Sequence, residues 1–348
     1  MPAPHPAAHP VQGLPPAPLA VSLGDPAGVG PELLATAWAA REGHHLPPFF
    51  AVGGAGLLAA AAAARGLAVP IRRITSPAEA TAVFAEALPV LGEEDGAYAP
   101  GAPSREGAAL ALASLTRAAA LTVSGEASAL VTGPIAKSRL AEVGFTHPGQ
   151  TEFVAEASGV APQDAVMMLA GPSLRTVPLT VHVALAEVPR LITRALIERR
   201  ARIVAAALAR DFGLAAPRLA IVALNPHAGE DGRMGHEDAA VIAPAVAALQ
   251  AAGIAATGPH PADALFAPHH RESFDVALCM YHDQALIPIK ALDFDAGVNV
   301  TLGLPIIRTS PDHGTAFAIA GRAQAHPGAT IAAIRMAGEC AVRRASLA

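Results

Sequence analysis

The residues best suited to chemistry follow an apolar strand that the sequence predicts over Asp275–Cys279. His282, Asp283 and, eight residues after the histidine, Lys290 supply a metal ligand, a proton donor or acceptor, and a cation. Ligands of open α/β sheets bind outside the carboxyl ends of the strands, which is where this segment is expected to lie. The simpler alternative is a histidine that caps a strand-to-helix turn. The segment indicates a site but not yet a reaction.

Two further histidines occur at or near predicted strand ends. His182 lies in the apolar strand predicted over Leu174–Val183, and His227 follows the strand predicted over Leu219–Leu224. Together with His282 they form a set of imidazoles that suits a divalent ion with open positions for substrate and water. Alternatives stay open, because a buried histidine often serves only as a hydrogen-bonding group. The chain also offers other histidines, namely His236, His260, His269, His270 and His313.

Three nitrogen-bearing side chains late in the sequence can form an anion clamp. Arg308 would give planar, two-pronged contacts to a carboxylate or phosphate, Lys290 a compact positive charge, and Asn299 an amide donor. A solvated surface role is the alternative for each of them taken singly. The hypothesis therefore depends on the fold bringing them together.

Polar turns before predicted helices are the other candidate ligand contacts. The glycine-rich turn Gly24–Glu32 follows an apolar strand, so its backbone N–H groups can approach an anion. It does not match the G-x-G-x-x-G fingerprint of dinucleotide-binding proteins. Lys137 ends a second turn, where a solvated helix position is the simpler interpretation. In the third turn, Gln150 and Thr151 can contact a ligand or merely cap a helix.

Alternating apolar strands and alanine-rich helices position these residues, and this order predicts a parallel sheet covered by helices, an α/β fold. The predicted strands are Leu19–Leu23, Phe49–Val52, Val69–Ile71, Ala129–Val131, Val166–Ala170, Leu174–Val183, Leu219–Leu224 and Asp275–Cys279. The predicted helices are Leu33–Ala40, Gly56–Arg65, Glu106–Val123, Leu191–Phe212 and Pro327–Arg343, and Gly92–Pro103 is predicted to be a loop.

The composition of the chain limits the classes of protein to which it can belong. The 348 residues suffice for one large or two medium domains, and a net charge of -5 gives no general attraction to nucleic acid or to an acidic membrane. Two cysteines are too few for a disulfide framework, which fits a reducing cytoplasm. The apolar run Ala239–Pro259 is interrupted by proline and glycine, so it predicts a helix and a buried strand rather than a membrane span. Residues 1–18 are expected to form a disordered tail.

Five blocks make the chain similar to a known family. They are Gly24–Glu32, Thr132–Lys137, Asn225–Glu230, Tyr281–Gln284 and Ser310–Ala316. With them, the sequence from Leu19 onward resembles the 4-hydroxythreonine-4-phosphate dehydrogenase family of pyridoxal 5′-phosphate biosynthesis. The resemblance implies two α/β domains of the isocitrate and isopropylmalate dehydrogenase type, with the active site in the cleft, and a homodimer. We expect one domain over 19–135 and 281–348, on the nucleotide-binding side, and the other over 136–280, with metal ligands and dimer contacts.

The resemblance also implies roles for particular residues. His182, His227 and His282 would bind zinc, magnesium or cobalt at a site shared between subunits. Gln150, Thr151, Lys290, Asn299 and Arg308 match substrate contacts, although the family commonly has histidine where this chain has Gln150. His313 and Gly314 would contact the cofactor, NAD or NADP. Asp283 and Lys290 are the candidate catalytic residues, with Asp283 relaying a proton.

The reaction implied by the resemblance is oxidation of 4-phosphooxy-L-threonine followed by loss of carbon dioxide. Two rivals stay open. One is a related dehydrogenase for another phosphorylated hydroxy acid or for a ring diol. The other is a metal-dependent phosphohydrolase or a phosphate acyltransferase, which would use the same histidines or cations without nicotinamide.

Overall fold

The computed structural model describes Gly13 and residues 16–347, so most of the predicted disordered tail lies outside the described residues. The strands are β1 (Leu19–Ser22), β2 (Phe49–Val52), β3 (Ile71–Ile74), β4 (Leu88–Leu91), β5 (Leu130–Thr132), β6 (Val166–Ala170), β7 (Arg175–Pro178), β8 (Leu219–Val222), β9 (Ala256–His260), β10 (Val276–Cys279), β11 (Val298–Leu302) and β12 (Arg308–Pro311). The helices are α1 (Gly30–Ala39), α2 (Ala55–Ala64), α3 (Ala80–Val83), α4 (Arg105–Val123), α5 (Lys137–Ala141), α6 (Gln150–Ala157), α7 (Val188–Leu191), α8 (Arg194–Phe212), α9 (Ala243–Ala251), α10 (Ala262–Leu265), α11 (His282–Asp293) and α12 (Gly328–Ala345). The predicted α/β class is confirmed.

The chain divides into two compact units. The central unit is Val166–Gly303, and the flanking unit consists of the described residues before and after it. These bounds differ from the domain predicted over 136–280. The difference arises from packing, because α6 buries Val154 and Ala155 in the same apolar cluster as Leu130 of β5. Likewise, α11 buries Ala285 and Ile289 against Cys279 of β10, which keeps that helix in the central unit.

The flanking unit contains the parallel sheet that the sequence predicts. Its strand order is β3-β4-β2-β1-β5-β12, and every neighbouring pair within it is parallel. From β1 the chain proceeds to strands on one side, and after β4 it crosses to β5 on the other. Such a reversal leaves a crevice at the carboxyl ends of β1 and β5, the place where open α/β sheets bind ligands. The glycine-rich turn and the Thr132–Lys137 turn begin there.

The central unit has a mixed sheet, which corrects the expectation of an all-parallel one. Its strand order is β11-β6-β7-β10-β8-β9, and β6 runs antiparallel to both of its neighbours. The reason is local: Gly171 N donates to Leu174 O (2.9 Å), and the tight turn joining β6 to β7 leaves no room for a crossover helix. The strand predicted over Leu174–Val183 is also shorter than expected, since β7 ends at Pro178.

Both sheets are built from fully buried apolar strands. All four residues of β1, β2, β4, β8 and β10 are buried, as expected for strands covered on both faces. Within the described part of the chain, no helix is both long and apolar enough to cross a membrane. The Ala239–Pro259 run contains α9 and the start of β9, as predicted, but the strand is not buried: β9 is the edge strand of the sheet, and only Ala256 in it is buried.

Candidate functional site

Two of the three predicted metal ligands lie side by side in the central unit. His182 stands in the loop after β7, and His282 is the first residue of α11. Their ring centroids are 5.6 Å apart, with an angle of 41° between the ring planes. Two imidazoles bound to one tetrahedral ion, with metal–nitrogen bonds of about 2 Å, place their centroids roughly 5 Å apart. The pair therefore fits a shared ion.

The backbone around the histidines is strained. His182 has a φ of 53°, and His227 has a φ of 51°. In fact every residue of the segment 227–231 has a positive φ, so the chain makes a left-handed turn that contains four residues other than glycine. This conformation costs a non-glycine residue about 1–2 kcal/mol. Such strain persists where the surrounding structure enforces it, and it concentrates at functional sites.

A buried carboxylate holds this left-handed turn in place. Asp238, which is 1% exposed, accepts hydrogen bonds from the backbone N–H groups of Leu224 (2.8 Å) and Asn225 (3.1 Å). The Asn225 side chain also donates to Asp238 Oδ2 (2.9 Å) and to Glu237 Oε2 (2.8 Å). Asp238 was not among the predicted site residues, because a single acidic residue before a helix gives no signal that it reaches back to a strand end.

The structure does not complete the histidine triad within one chain. Among the described residues, no group of three or more His, Cys, Asp or Glu side chains lies close enough together to hold a metal ion. The pair of His182 and His282 is brought together, and His227 is presented on its own strained turn. The three-ligand site therefore stays a prediction.

The two candidate catalytic residues lie on α11. Asp283 Oδ1 is 2.7 Å from His282 Nδ1, so the carboxylate can accept a hydrogen bond from Nδ1–H, which leaves Nε2 of His282 without a proton. This contact gives Asp283 an orienting role, whereas its role in proton relay stays a prediction. Further along the same helix, the Nζ atom of Lys290 lies 5.7 Å from the centroid of the Phe294 ring.

In the flanking unit, a buried cation joins three elements. Arg308 of β12 is 3% exposed, and its Nη2 donates to Thr132 Oγ1 (2.7 Å) at the end of β5 and to Gln150 Oε1 (2.9 Å) at the start of α6. Thr132 Oγ1 donates in turn to Gln150 Oε1 (3.1 Å), and Gln150 Nε2 donates to Gly133 O (3.0 Å). Burial lowers the pKa of Arg308 to about 10, and the charge of Glu152 opposes that shift. The guanidinium therefore stays protonated at neutral pH.

The structure places the other predicted substrate residues as follows. Thr151 is the second residue of α6, directly after Gln150. Asn299 lies on β11, and its Oδ1 is buried without a hydrogen-bond partner among the described residues. A buried amide oxygen in this state calls for a donor from a ligand or water. Arg308 and Gln150 are brought together, whereas Lys290 and Asn299 belong to the central unit, so the predicted clamp of Lys290, Asn299 and Arg308 stays a prediction.

The predicted cofactor loop packs against the glycine-rich turn. Val29 N donates to Thr315 O (2.9 Å), and a Cβ added at Gly28 would stand 2.8 Å from the same oxygen. Gly28 is therefore required for the close approach of the two segments. Within the loop, His313 Nδ1 is 3.0 Å from Gly314 O, and its buried Nε2 has no hydrogen-bond partner among the described residues. The loop thus presents an unused imidazole nitrogen.

A second residue that the sequence analysis missed is Asp25 in the glycine-rich turn. Its Oδ1 accepts from Ala27 N (3.0 Å), and its buried Oδ2 has no hydrogen-bond partner among the described residues. Burial raises the pKa of this carboxyl group, and the backbone hydrogen bond from Ala27 and the charge of Arg139 oppose the rise. The signal available in sequence was an acidic residue inside a turn suited to anions.

Comparison with known proteins places these features in a family. The model of the pyridoxal phosphate biosynthetic protein PdxA matches residues 45–337. A 4-hydroxythreonine-4-phosphate dehydrogenase of Erythrobacter litoralis is 65% identical over 96% of this chain and 99% of its own. The crystal structure of a 4-hydroxythreonine-4-phosphate dehydrogenase from Klebsiella pneumoniae superposes with a TM-score of 0.84, at 36% identity, over 95% of this chain and 99% of that one.

A more distant solved structure bears on the rival functions. The terephthalate 1,2-cis-dihydrodiol dehydrogenase of Burkholderia xenovorans has a TM-score of 0.62 and 28% identity, covering 93% of this chain and 98% of that one. Both measures are lower than for the Klebsiella enzyme. The match of the family model over most of the sequence, together with the near full-length relative at 65% identity, leads to one conclusion: the chain belongs to the PdxA family of pyridoxal phosphate biosynthetic proteins.

Proposed function

We propose that this chain is an NAD(P)-dependent dehydrogenase that oxidises the C3 hydroxyl of 4-phosphooxy-L-threonine. A hydride passes from C3 to the nicotinamide and the hydroxyl proton passes to a base, which gives 2-amino-3-oxo-4-(phosphonooxy)butanoate. This β-keto acid loses carbon dioxide and gains a proton to become 3-amino-2-oxopropyl phosphate. The observation that carries the proposal is the 65% identity to a 4-hydroxythreonine-4-phosphate dehydrogenase over nearly the full length of both chains.

The side chains suit a substrate that carries a phosphate and a carboxylate. Arg308 offers a buried positive charge, and Thr151 offers a hydroxyl beside it at the start of α6. Buried cations bind anions more strongly than exposed ones, because water screens them less. Lys290 would bind the other anionic end, and Asn299, whose buried Oδ1 lacks a partner, would accept a hydrogen bond from the substrate.

His182, His227 and His282 would hold the divalent metal ion. When bound, such an ion lowers the pKa of a coordinated hydroxyl group and stabilises the negative charge that develops on oxygen. Asp283 would keep the His282 ring in the tautomer that leaves Nε2 for the ion, since it contacts Nδ1. His313 and Gly314 would contact NAD or NADP. Asp283 and Lys290 remain our candidates for moving the proton of the substrate hydroxyl.

We further propose a homodimer in which the active site is shared between subunits. Large apolar side chains that are at least two-fifths exposed occur mainly in the central unit. They are Val183, Leu185, Leu191, Met234, Ile287, Leu292 and Phe294, whereas the flanking unit has only Val123 and Leu347 among its described residues. Exposed apolar groups gathered on one part of a protein commonly mark an interface. Val183 adjoins His182, so a partner covering it would approach the metal ligands.

The activity itself is tested with a substrate panel. Purified protein with a divalent ion should form NADH or NADPH from 4-phosphooxy-L-threonine, followed by absorbance, and should turn over unphosphorylated 4-hydroxythreonine and cis-dihydrodiols at least a hundredfold less efficiently in kcat/KM. Brisk oxidation of a cis-dihydrodiol with no oxidation of the phosphorylated amino acid would overturn the proposal. Phosphate release or acyl transfer without reduced nicotinamide would identify the other rival class.

The metal site is tested by the variant His282→Ala. Removing one imidazole should lower the affinity for zinc or cobalt at least tenfold, as measured by equilibrium dialysis, because each ligand contributes directly to coordination. The matched control is His44→Ala, which removes an exposed histidine of the flanking unit and should leave the metal content unchanged. Full metal content and activity in His282→Ala would show that the histidine set is wrong.

The proposed interface is tested by Ile287→Glu on α11. A carboxylate at this position, which is 65% exposed in the isolated chain, should shift the protein toward a monomer in sedimentation experiments and reduce metal binding with it. Val123→Glu introduces the same charge on the flanking unit and should leave the dimer intact. A wild-type protein that sediments as a fully active monomer would refute the shared site.

The variant Gln150→His restores the residue common in the family. Because Gln150 Oε1 accepts from Arg308 and Thr132, a neutral imidazole can take over only one of these bonds. An amide and an imidazole differ here by roughly 1 kcal/mol, so KM should change by about fivefold or less near neutral pH. At mildly acidic pH the protonated ring would face the Arg308 guanidinium, so KM should rise modestly. Steady-state kinetics across pH measure both effects, and a change of preferred substrate would instead make Gln150 a specificity switch.

A further inference from the structure

We infer that Lys137 is an additional phosphate-binding residue of this chain, acting at the start of α6. The inference deepens the proposed function, on which it rests, by assigning a contact for the phosphate group of the substrate. Lys137 is the first residue of α5, and its side chain reaches the residue that precedes α6. The sequence alone favoured an ordinary solvated position for it.

The geometry at Gly149 carries the inference. A Cβ added at Gly149 would stand 3.5 Å from Lys137 Nζ and 3.1 Å from Glu152 Oε2. The ammonium group therefore lies over the residue that begins α6, beside Gln150 and Thr151. Lys137 itself makes no ion pair or hydrogen bond with the described part of the chain, and it is exposed. The Lys137 ammonium is therefore accessible to an anion.

The helix start contributes donors to the same place. Gly149 has no side chain, so it provides no cap for the N–H groups of the first turn of α6. These N–H groups point toward the space before the helix, where the helix dipole also favours negative charge. Arg308 adds a second charged group, 97% buried, through its bond to Gln150 Oε1. The start of α6 therefore has the Lys137 ammonium next to Gly149 and the Arg308 guanidinium bonded to Gln150.

The composition of the chain gives independent support. Of the 24 basic residues, only Lys137 and Lys290 are lysines. Arginine presents a wide planar fork, whereas lysine presents a compact charge that fits where space is limited. The close approach at Gly149 is such a place. The other lysine is the residue that we assign to an anionic end of the substrate.

One group opposes an anion here. The Glu152 carboxylate lies close to the same point, since its Oε2 is 3.1 Å from a Cβ added at Gly149. A phosphate dianion would bind between Lys137 and the first turn of α6 only as Glu152 swings away. Glu152 and Lys137 should therefore affect phosphate affinity in opposite directions, which a purely structural role for Lys137 does not predict.

The experiment measures binding of inorganic phosphate by calorimetry, without turnover. Lys137→Gln should weaken phosphate affinity about tenfold, since one charge-assisted hydrogen bond is lost. Gly149→Ala places a methyl group in the same space on an extended backbone that accepts alanine, and should weaken binding comparably without removing a charge. Glu152→Gln should strengthen binding. The control Arg117→Gln removes an exposed charge of the same unit and should change nothing.

Kinetics separate this assignment from the proposed activity. In Lys137→Gln, KM for 4-phosphooxy-L-threonine should rise about tenfold with little change in kcat, while the thermal midpoint stays near that of the parent protein. Unchanged phosphate affinity in both Lys137→Gln and Gly149→Ala would overturn the role of Lys137. Failure of the unaltered protein to oxidise 4-phosphooxy-L-threonine would count against the proposed function instead, and the phosphate measurements would still decide on Lys137.

Discussion

Burying the guanidinium of Arg308 removes it from water, which costs on the order of several kcal/mol unless the surrounding groups replace its hydration. Three elements of the flanking unit meet that requirement together: β5 through the Thr132 hydroxyl, α6 through the Gln150 amide, and β12, which carries the arginine. The start of α6 is thereby fixed to the carboxyl edge of the sheet. Because the hydroxyl and amide acceptors are neutral, these two bonds do not neutralise the arginine, whereas the charge of Glu152 favours its protonated form.

The central unit has a different constraint, which is the strain in its histidine-bearing loops. A left-handed turn over 227–231 is unfavourable for every residue in it except glycine, and it persists because Asp238 satisfies the backbone N–H groups that lead into it. His182 sits in the same region of φ. A relaxed loop would aim these rings elsewhere, so the strain sets where the imidazoles point.

Local sequence signals located many of the elements closely. β2 and β6 have the predicted bounds, and α4 differs by one residue at its start. Continuous apolar runs and long alanine-rich stretches carry those signals, since buried strands and helices need little else. By contrast, β4 was missed because Pro89 interrupts it, and β11 and β12 were missed because polar residues dilute their apolar pattern. A proline or several polar residues thus hide the continuous apolar run by which a buried strand is recognised in a sequence.

The sequence by itself determined the α/β class, the candidate residues and, through its motifs, the family. It did so because these depend on residue types and short spacings. The tertiary structure decided which of the candidate site residues lie close together. His182 and His282 are 100 positions apart in the chain, yet their ring centroids are 5.6 Å apart, and Arg308 reaches Gln150 across a separation of 158 positions. The antiparallel course of β6, the left-handed turn at His227 and the position of Lys137 beside Gly149 also follow from packing. No local pattern encodes them, because each depends on which distant segment occupies the adjoining space.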